Sequence, residues 1–353
     1  VSIPRTTNSI PDRTTPSPAR RRTVVPVLVA AAWSVTYLIL GLLWAFGGPG
    51  YPFDAGRAGM GDTILDPLPA AAGGAVLAVL ALVSGAVAVL AARGSLNLPA
   101  AVVAIVVGFG LAVVLPDVRI LMTAGYLPVM FVGALAGQVE FAMIATMLTW
   151  PSVNLLILMA AGLSLLVLGT REVLGATGRP IGFAGALRAG RYAVALAVAV
   201  PVVYAVTRFG WLLGVPVGIS DEFLAYIAEI TPIGAGLSAL GLLGAILAVG
   251  MVRPWGEIWP RWVPLLRGRP IPERFPAYAA LVVSLPITSA GLMYVRKKLS
   301  GEQMGPPGAN AELGAWLPEM LWPLWGAALA VAGLAYLARR RTGRYLDHGR
   351  ARR

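Results

Sequence analysis

The chain is 353 residues long, 58% hydrophobic and only 12% charged, with a mean hydropathy of +0.77 and a net charge of +12. A soluble domain carries about 25% charged residues, so this composition makes lipid the main solvent, and basic residues scattered between apolar runs argue against a nucleic-acid partner. The absence of Cys and the single His, His348, exclude disulfides, thiolate chemistry and Cys- or His-built metal sites, so neither a metal nor a cofactor is expected.

Residues 1–22 are polar, rich in Pro, Ser, Thr and Arg, and read as a disordered basic cytoplasmic tail. A secretory signal is the rival reading, but the apolar run Thr23 to Phe46 is too long for a signal h-region and no A-x-A site follows it closely. It is taken as the first span. An outer loop, Gly47 to Pro67, carries Asp54, Asp62 and Asp66. The second span runs from Pro69 to Ala92, turns at Arg93–Asn97, and the third runs from Leu98 to Leu115, stopping at Pro116-Asp117. Ile120 to Gly137 is apolar enough to cross but holds Gly125, Pro128 and Gly133 and is followed by Gln138 and Glu140. Further spans are expected over Ser152–Leu168, Tyr192–Thr207, Ile233–Val252, Ala277–Val295 and Leu317–Ala338, with a basic linker over 171–191 and a basic tail from Arg339.

Charge decides whether Ile120–Gly137 crosses. If it does not, there are eight spans and both termini are cytoplasmic. Inner segments then hold 22 Lys and Arg: five in the N-terminal tail, Arg93, four in 171–191, five in 253–274 and seven from Arg339 on. Outer segments hold six: Arg57, Arg119, Arg208, Arg296, Lys297 and Lys298. If it crosses, the split becomes 10 inside and 18 outside, against the positive-inside rule. The expectation is an all-α, multi-pass bundle in the plasma membrane, with a re-entrant or extracytoplasmic segment near 120–150.

A motif occurs twice. Tyr37, Trp44, Gly47 and Pro49 are matched by Tyr204, Trp211, Gly214 and Pro216, each 167 residues further on. Met147-Leu148-Thr149-Trp150-Pro151 and Met320-Leu321-Trp322-Pro323 each open a last span, and Val118-Arg119 and Val295-Arg296 each follow a third. Two tandem four-span repeats are therefore expected, over 23–170 and 192–338, parallel because an even number of crossings returns the chain to the same side. Chance recurrence in a biased composition is the competing reading.

The W-x-x-G-x-P element, the Trp-Pro opening of a last span, and the run Arg253-Pro254-Trp255-Gly256-Glu257 through Trp259-Pro260-Arg261-Trp262-Val263-Pro264 resemble a group of polytopic membrane proteins of high-GC actinobacteria. Each half is also similar to smaller four-span proteins with a W-x-x-G-G element. The resemblance implies a helical membrane bundle and brings no activity that carries over to this chain. Many such proteins carry C-x-x-C pairs after the last span of each half; this chain has none, so no metal role carries over.

No nucleotide or catalytic motif is present: neither G-x-x-x-x-G-K-[ST] nor H-E-x-x-H. The functional leads are ionisable residues near membrane depth, namely Arg119, Glu140, Arg208 and Glu229 as candidate ligand-binding residues. Arg119 and Arg208 would hold an anionic group, and Glu140 or Glu229 would move a proton. The same residues also fit a set of interfacial ion pairs and solvated loop charges. The loop Arg253–Arg274, with Trp255, Trp259 and Trp262 among five arginines, reads as a segment lying on the inner leaflet against anionic lipid, or as a docking element for an unknown protein partner. Three functions follow: a permease-like or small-ligand-binding protein with a pocket between its halves; a non-catalytic scaffold or regulator acting through 253–274; and, least supported, an intramembrane enzyme built on paired carboxylates.

Overall fold

A computed structural model describes residues 18–53, 62–135, 137, 144, 148–177, 183–261 and 263–351. Among them every regular element is helical, one isolated bridge between Ile258 and Pro270 apart. The α-helices are α1 Pro18–Ala45, α2 Ala70–Ala92, α3 Leu98–Phe109, α4 Val118–Leu135, α5 Trp150–Thr177 and α6 Phe183–Leu212, followed by α7 Asp221–Tyr226, α8 Thr231–Gly250, α9 Arg274–Ser300, α10 Leu313–Met320 and α11 Trp322–Ala351. Seven stretches are long and apolar enough to cross a bilayer: 24–45, 70–92, 150–176, 184–212, 228–250, 274–300 and 313–341. An eighth is the bent pair Leu98–Val114 and Val118–Leu127, which turns by 60°. The protein is thus an all-α polytopic bundle, the only spanning solution besides a closed barrel that satisfies each backbone group internally.

The bend has an identifiable cause. After Phe109 the helix widens into a π-turn over Gly110–Val114 and then meets Pro116, which cannot donate a backbone hydrogen bond. The carbonyls freed there are taken up by side chains: Thr63 Oγ1 donates to Leu115 O at 2.6 Å and Ser289 Oγ donates to Pro116 O at 2.5 Å. Asp117 then caps the new helix by accepting from Arg119 N at 2.9 Å. The segment expected to stay out of the bilayer or to re-enter it is therefore helical from Val118 to Leu135, and its first turns pack on α9.

Two large apolar cores result, beside a small cluster of Trp211, Ile219, Phe223, Ile227 and Ala309. One joins α1, α2, α3 and α5 and contains an aromatic ladder of Trp33, Tyr37, Trp44, Tyr51 and Phe53, with successive ring centroids 5.1 to 6.2 Å apart. The other joins α6, α9 and α11 with residues of α4 and α8. The helix pairing is the same in both halves: first with second, first with fourth, third with fourth. Small residues allow the approach; a Cβ placed on Gly41 of α1 would lie 2.7 Å from the Gly74 and Ala78 backbones of α2.

The twice-occurring motif folds alike in its two places. Gly47 and Gly214 adopt left-handed φ of 83° and 78°. Gly48 N–H donates to Leu43 O and Gly47 N–H to Trp44 O; Val215 N–H donates to Gly210 O and Gly214 N–H to Trp211 O. Each is a Schellman ending, which needs a residue tolerant of positive φ at the first position past the helix. The indoles complete it: Trp44 Nε1 donates to Pro49 O at 3.2 Å and Trp211 Nε1 to Val217 O at 3.0 Å. The spacing Trp-x-x-Gly is thus the spacing of a helix terminator with its own cap.

Candidate functional site

α8 packs along α6 and leaves α9 uncovered on that side. The gap is a cavity of about 540 Å³, within the range of about 300–1,000 Å³ usual for small-molecule sites. Its walls come from α8 (Leu237, Gly241, Gly244), α9 (Ala279, Val283) and α4 (Leu121), together with α11 and the chain between α8 and α9. No charged side chain lines it among the described residues. The indole Nε1–H groups of the lining residues Trp322 and Trp325 are buried and have no hydrogen-bond partner among the described residues. Buried donors are normally paired.

At one end the lining is Tyr204 of α6 and Trp322 of α11, edge to face with centroids 5.5 Å apart. Behind them lies an ion pair, Arg208 with Glu319, each less than a tenth exposed. The guanidinium sits between two rings, 4.5 Å from the Tyr204 centroid and 4.2 Å from that of Trp211. It also donates to Thr207 Oγ1 at 3.1 Å and to Gly314 O at 3.0 Å. Planar stacking with several directed donors is the use for which Arg is suited and Lys is not.

At the other end lies a clasp formed by residues 254–261 and 263–272. Trp259 N–H donates to Arg269 O, Gly268 N–H to Trp259 O and Ile271 N–H to Glu257 O, which fold the loop back on itself. Glu257 ties it to α11 through Arg339 and Arg340, both at 2.7 Å. Those arginines also donate to Met251 O and Ile271 O. Trp255 and Trp259 line the cavity from this side, Trp259 packing on Phe275 with centroids 5.8 Å apart.

The ionisable residues singled out in the sequence fall in different places. Arg208 is in the pair just described. Arg119 belongs to a second cluster, where it meets Asp117 through Nε at 2.9 Å and Nη2 at 2.6 Å and Asp66 at 3.5 Å. Beside it, Arg296 and Lys297 of α9 both contact Asp62. The two arginines share no partner, and each faces a buried carboxylate rather than an open polar cavity. Glu229 is exposed on the turn before α8 and has no ion-pair partner among the described residues. Glu140, Met147 and Trp262 lie outside the described residues. Glu319 was not singled out, although it was legible: it is the one charged residue inside any of the eight expected spans, three positions before Trp322-Pro323. No group of three or more His, Asp or Glu side chains suited to a metal ion occurs among the described residues.

Asp66 gives the second cluster a pH response. Burial pushes its carboxyl up to about 6; the Thr63 N–H and Arg119 oppose that shift, while Asp117 and Asp62 add to it. Between about pH 4 and pH 6 the unfolded chain has lost the proton that the folded chain keeps, so this group lowers stability as pH rises through that window and contributes no further slope above it. Asp66→Asn is expected to remove that slope, measured as the difference between parent and variant melting temperatures at about pH 4, pH 5, pH 6 and pH 7.

In comparisons with protein-family models, with curated proteins and with solved structures, none matched the chain.

Proposed function

We propose that this multi-pass membrane protein is a permease-like, small-ligand-binding protein whose ligand is largely apolar and sits in the cavity between α8 and α9. The cavity carries the proposal: it has the size of a ligand site, an uncharged lining, and a folded element at each end. The sequence reading put the pocket between two repeats on the outer side. The cavity instead lies mainly within the second half, with α4 of the first half contributing one wall. The ion pair Arg208–Glu319 braces one end rather than binding an anion. We also propose that the chain is an internal duplication, supported by the like pairing of helices and the two Schellman endings, and that it lies in the plasma membrane with both termini cytoplasmic, supported by the distribution of Lys and Arg.

Blocking the cavity tests this. Gly244 lines it and a Cβ there meets nothing within 4 Å, so Gly244→Trp places an indole in the space without displacing backbone. Gly236 on the same helix is exposed, equally open, and outside the lining. An apolar molecule is expected to co-purify with the parent and with Gly236→Trp, and to fall at least tenfold in Gly244→Trp by mass spectrometry of solvent extracts. Equal retention in both variants, or none in the parent, would refute the reading. The scaffold alternative draws on one observation, that the clasp is folded and pinned to α11; it predicts that Glu257→Ala spares ligand retention and abolishes capture of a cytoplasmic protein.

A further inference from the structure

Around the clasp end of the cavity, Arg253, Arg261, Arg267, Arg269 and Arg274 are all exposed, and none has an ion-pair partner among the described residues. They are not spread evenly over that face of the protein. Arg253 lies two residues before Trp255, Arg261 follows Pro260, and Arg274 precedes Phe275, each of these neighbours being a lining residue. Arg269 is drawn to the same place by the bond from Trp259 N–H to its carbonyl at 2.9 Å. The one carboxylate in the middle of the clasp, Glu257, is already held by Arg339 and Arg340. Five exposed arginines without an ion-pair partner among the described residues therefore lie within a few positions of the chain that lines this end of an uncharged cavity.

The clasp is also built to lie in an interface. It exposes Leu265, 91% accessible, next to Leu266, 36% accessible, and also exposes Trp255 and Ile258. Leu265 holds a left-handed φ of 65°, the only non-Gly residue described in that region. Large apolar side chains presented together at the surface are costly in water and favourable among acyl chains. Arginine favours phosphate because its planar fork can donate to two oxygens.

We infer that the occupant of the cavity is a phospholipid of net negative charge from the leaflet on the clasp side, its hydrocarbon between α8 and α9 and its phosphate, with no headgroup cation beside it, among the clasp arginines. This rests on the cavity being a ligand site, and adds the chemical class of the ligand and its direction of entry. It differs from the diffuse attraction of any basic surface to anionic membrane, because the tail and the headgroup are held by separate sets of residues. A free phosphate would use the arginines and leave the cavity empty. A neutral lipid would use the cavity and not the arginines.

The test uses full-length protein stripped of lipid in a neutral detergent, with native mass spectrometry as the readout. Dioleoyl phosphatidylglycerol is expected to remain bound at least tenfold more than dioleoyl phosphatidylcholine. Replacing the five arginines by Gln should bring the two lipids level, and inorganic phosphate at millimolar concentration should not displace the first. Gly244→Trp should lose both lipids and Gly236→Trp neither. If the two lipids bind the parent equally, or the Gln variant retains phosphatidylglycerol as the parent does, the headgroup assignment is overturned while the cavity remains a ligand site. Displacement by inorganic phosphate overturns it in favour of a simple anion site. If Gly244→Trp retains lipid as Gly236→Trp does, the cavity is not where lipid sits, and the function proposed above falls with it. Melting temperatures of all variants show that each is folded before it is scored.

Discussion

Glu319→Ala is expected to destabilise the protein by about 3–5 kcal/mol, the cost typical of removing one partner of a buried ion pair. The penalty comes from what is left behind. Arg208 would remain charged, less than a tenth exposed, with only the Thr207 hydroxyl, the Gly314 carbonyl and two ring faces around it. Arg208→Ala is expected to cost a similar amount by stranding Glu319, one of whose oxygens already has no partner among the described residues. The double variant Arg208→Met with Glu319→Leu removes both charges and fills the same volume, so it should recover most of the loss. A double-mutant cycle from reversible unfolding in micelles measures the coupling directly; additive single effects would show that the pair is not the brace described here. Because Tyr204 and Trp322 stand between the pair and the cavity, the single variants should also weaken ligand retention, and the charge-free double variant should restore it.

The second large effect is at Gly256. A Cβ there would fall 2.0 Å from the carbonyl oxygen of Gly250 and 2.6 Å from its Cα. Both are backbone, so no side-chain rotation relieves the overlap, and the clasp must lift from the end of α8. Gly256→Val is expected to cost about 1–3 kcal/mol, the usual range for overpacking a tight contact. The damage should be local. Trp255 and Trp259 would leave the cavity mouth, their fluorescence would shift toward that of exposed indole, and the chain near Arg261 and Arg267 would become sensitive to trypsin while α1–α5 stay protected. Unchanged cleavage would mean that the clasp does not depend on this contact.

Both effects concern features of which the linear order of residues carries only half. Long uncharged runs leave no alternative to helices across lipid, since an unpaired peptide group there costs several kcal/mol, on the order of an entire polar-group transfer. Hence each of the eight expected spans falls on helical stretches, which run nine residues beyond the expected ends at 168 and 192 and break at Leu321 within the last. The Trp-x-x-Gly element was also legible as an end signal, because the interactions that shape it stay within six residues. Pro116 and Asp117 announced a break for the same local reason. The direction of the chain after that break was not legible. It depends on Thr63 and Ser289, the latter 173 positions away, coming to rest against the freed carbonyls.

The candidate site shows the same division. Arg208 stood out as a charge at the edge of a span, but its partner is 111 residues away and nothing in the spacing joins them. Arg119 looked like a cation waiting for a ligand until Asp117 and Asp66 were found to share it. Composition, the lengths of the uncharged apolar runs and the local Trp, Gly and Pro signals determined that this protein lies in lipid, is helical, and where several of its helices end, because solvation and backbone hydrogen bonding act over one turn. Only the tertiary structure decided that α8 stands away from α9, that a basic clasp lies at one end of the gap, and which charges remain unpaired. Those outcomes follow from how side-chain volumes meet across helices far apart in the chain, and such volumes have no signature in the order of residues along any one of them.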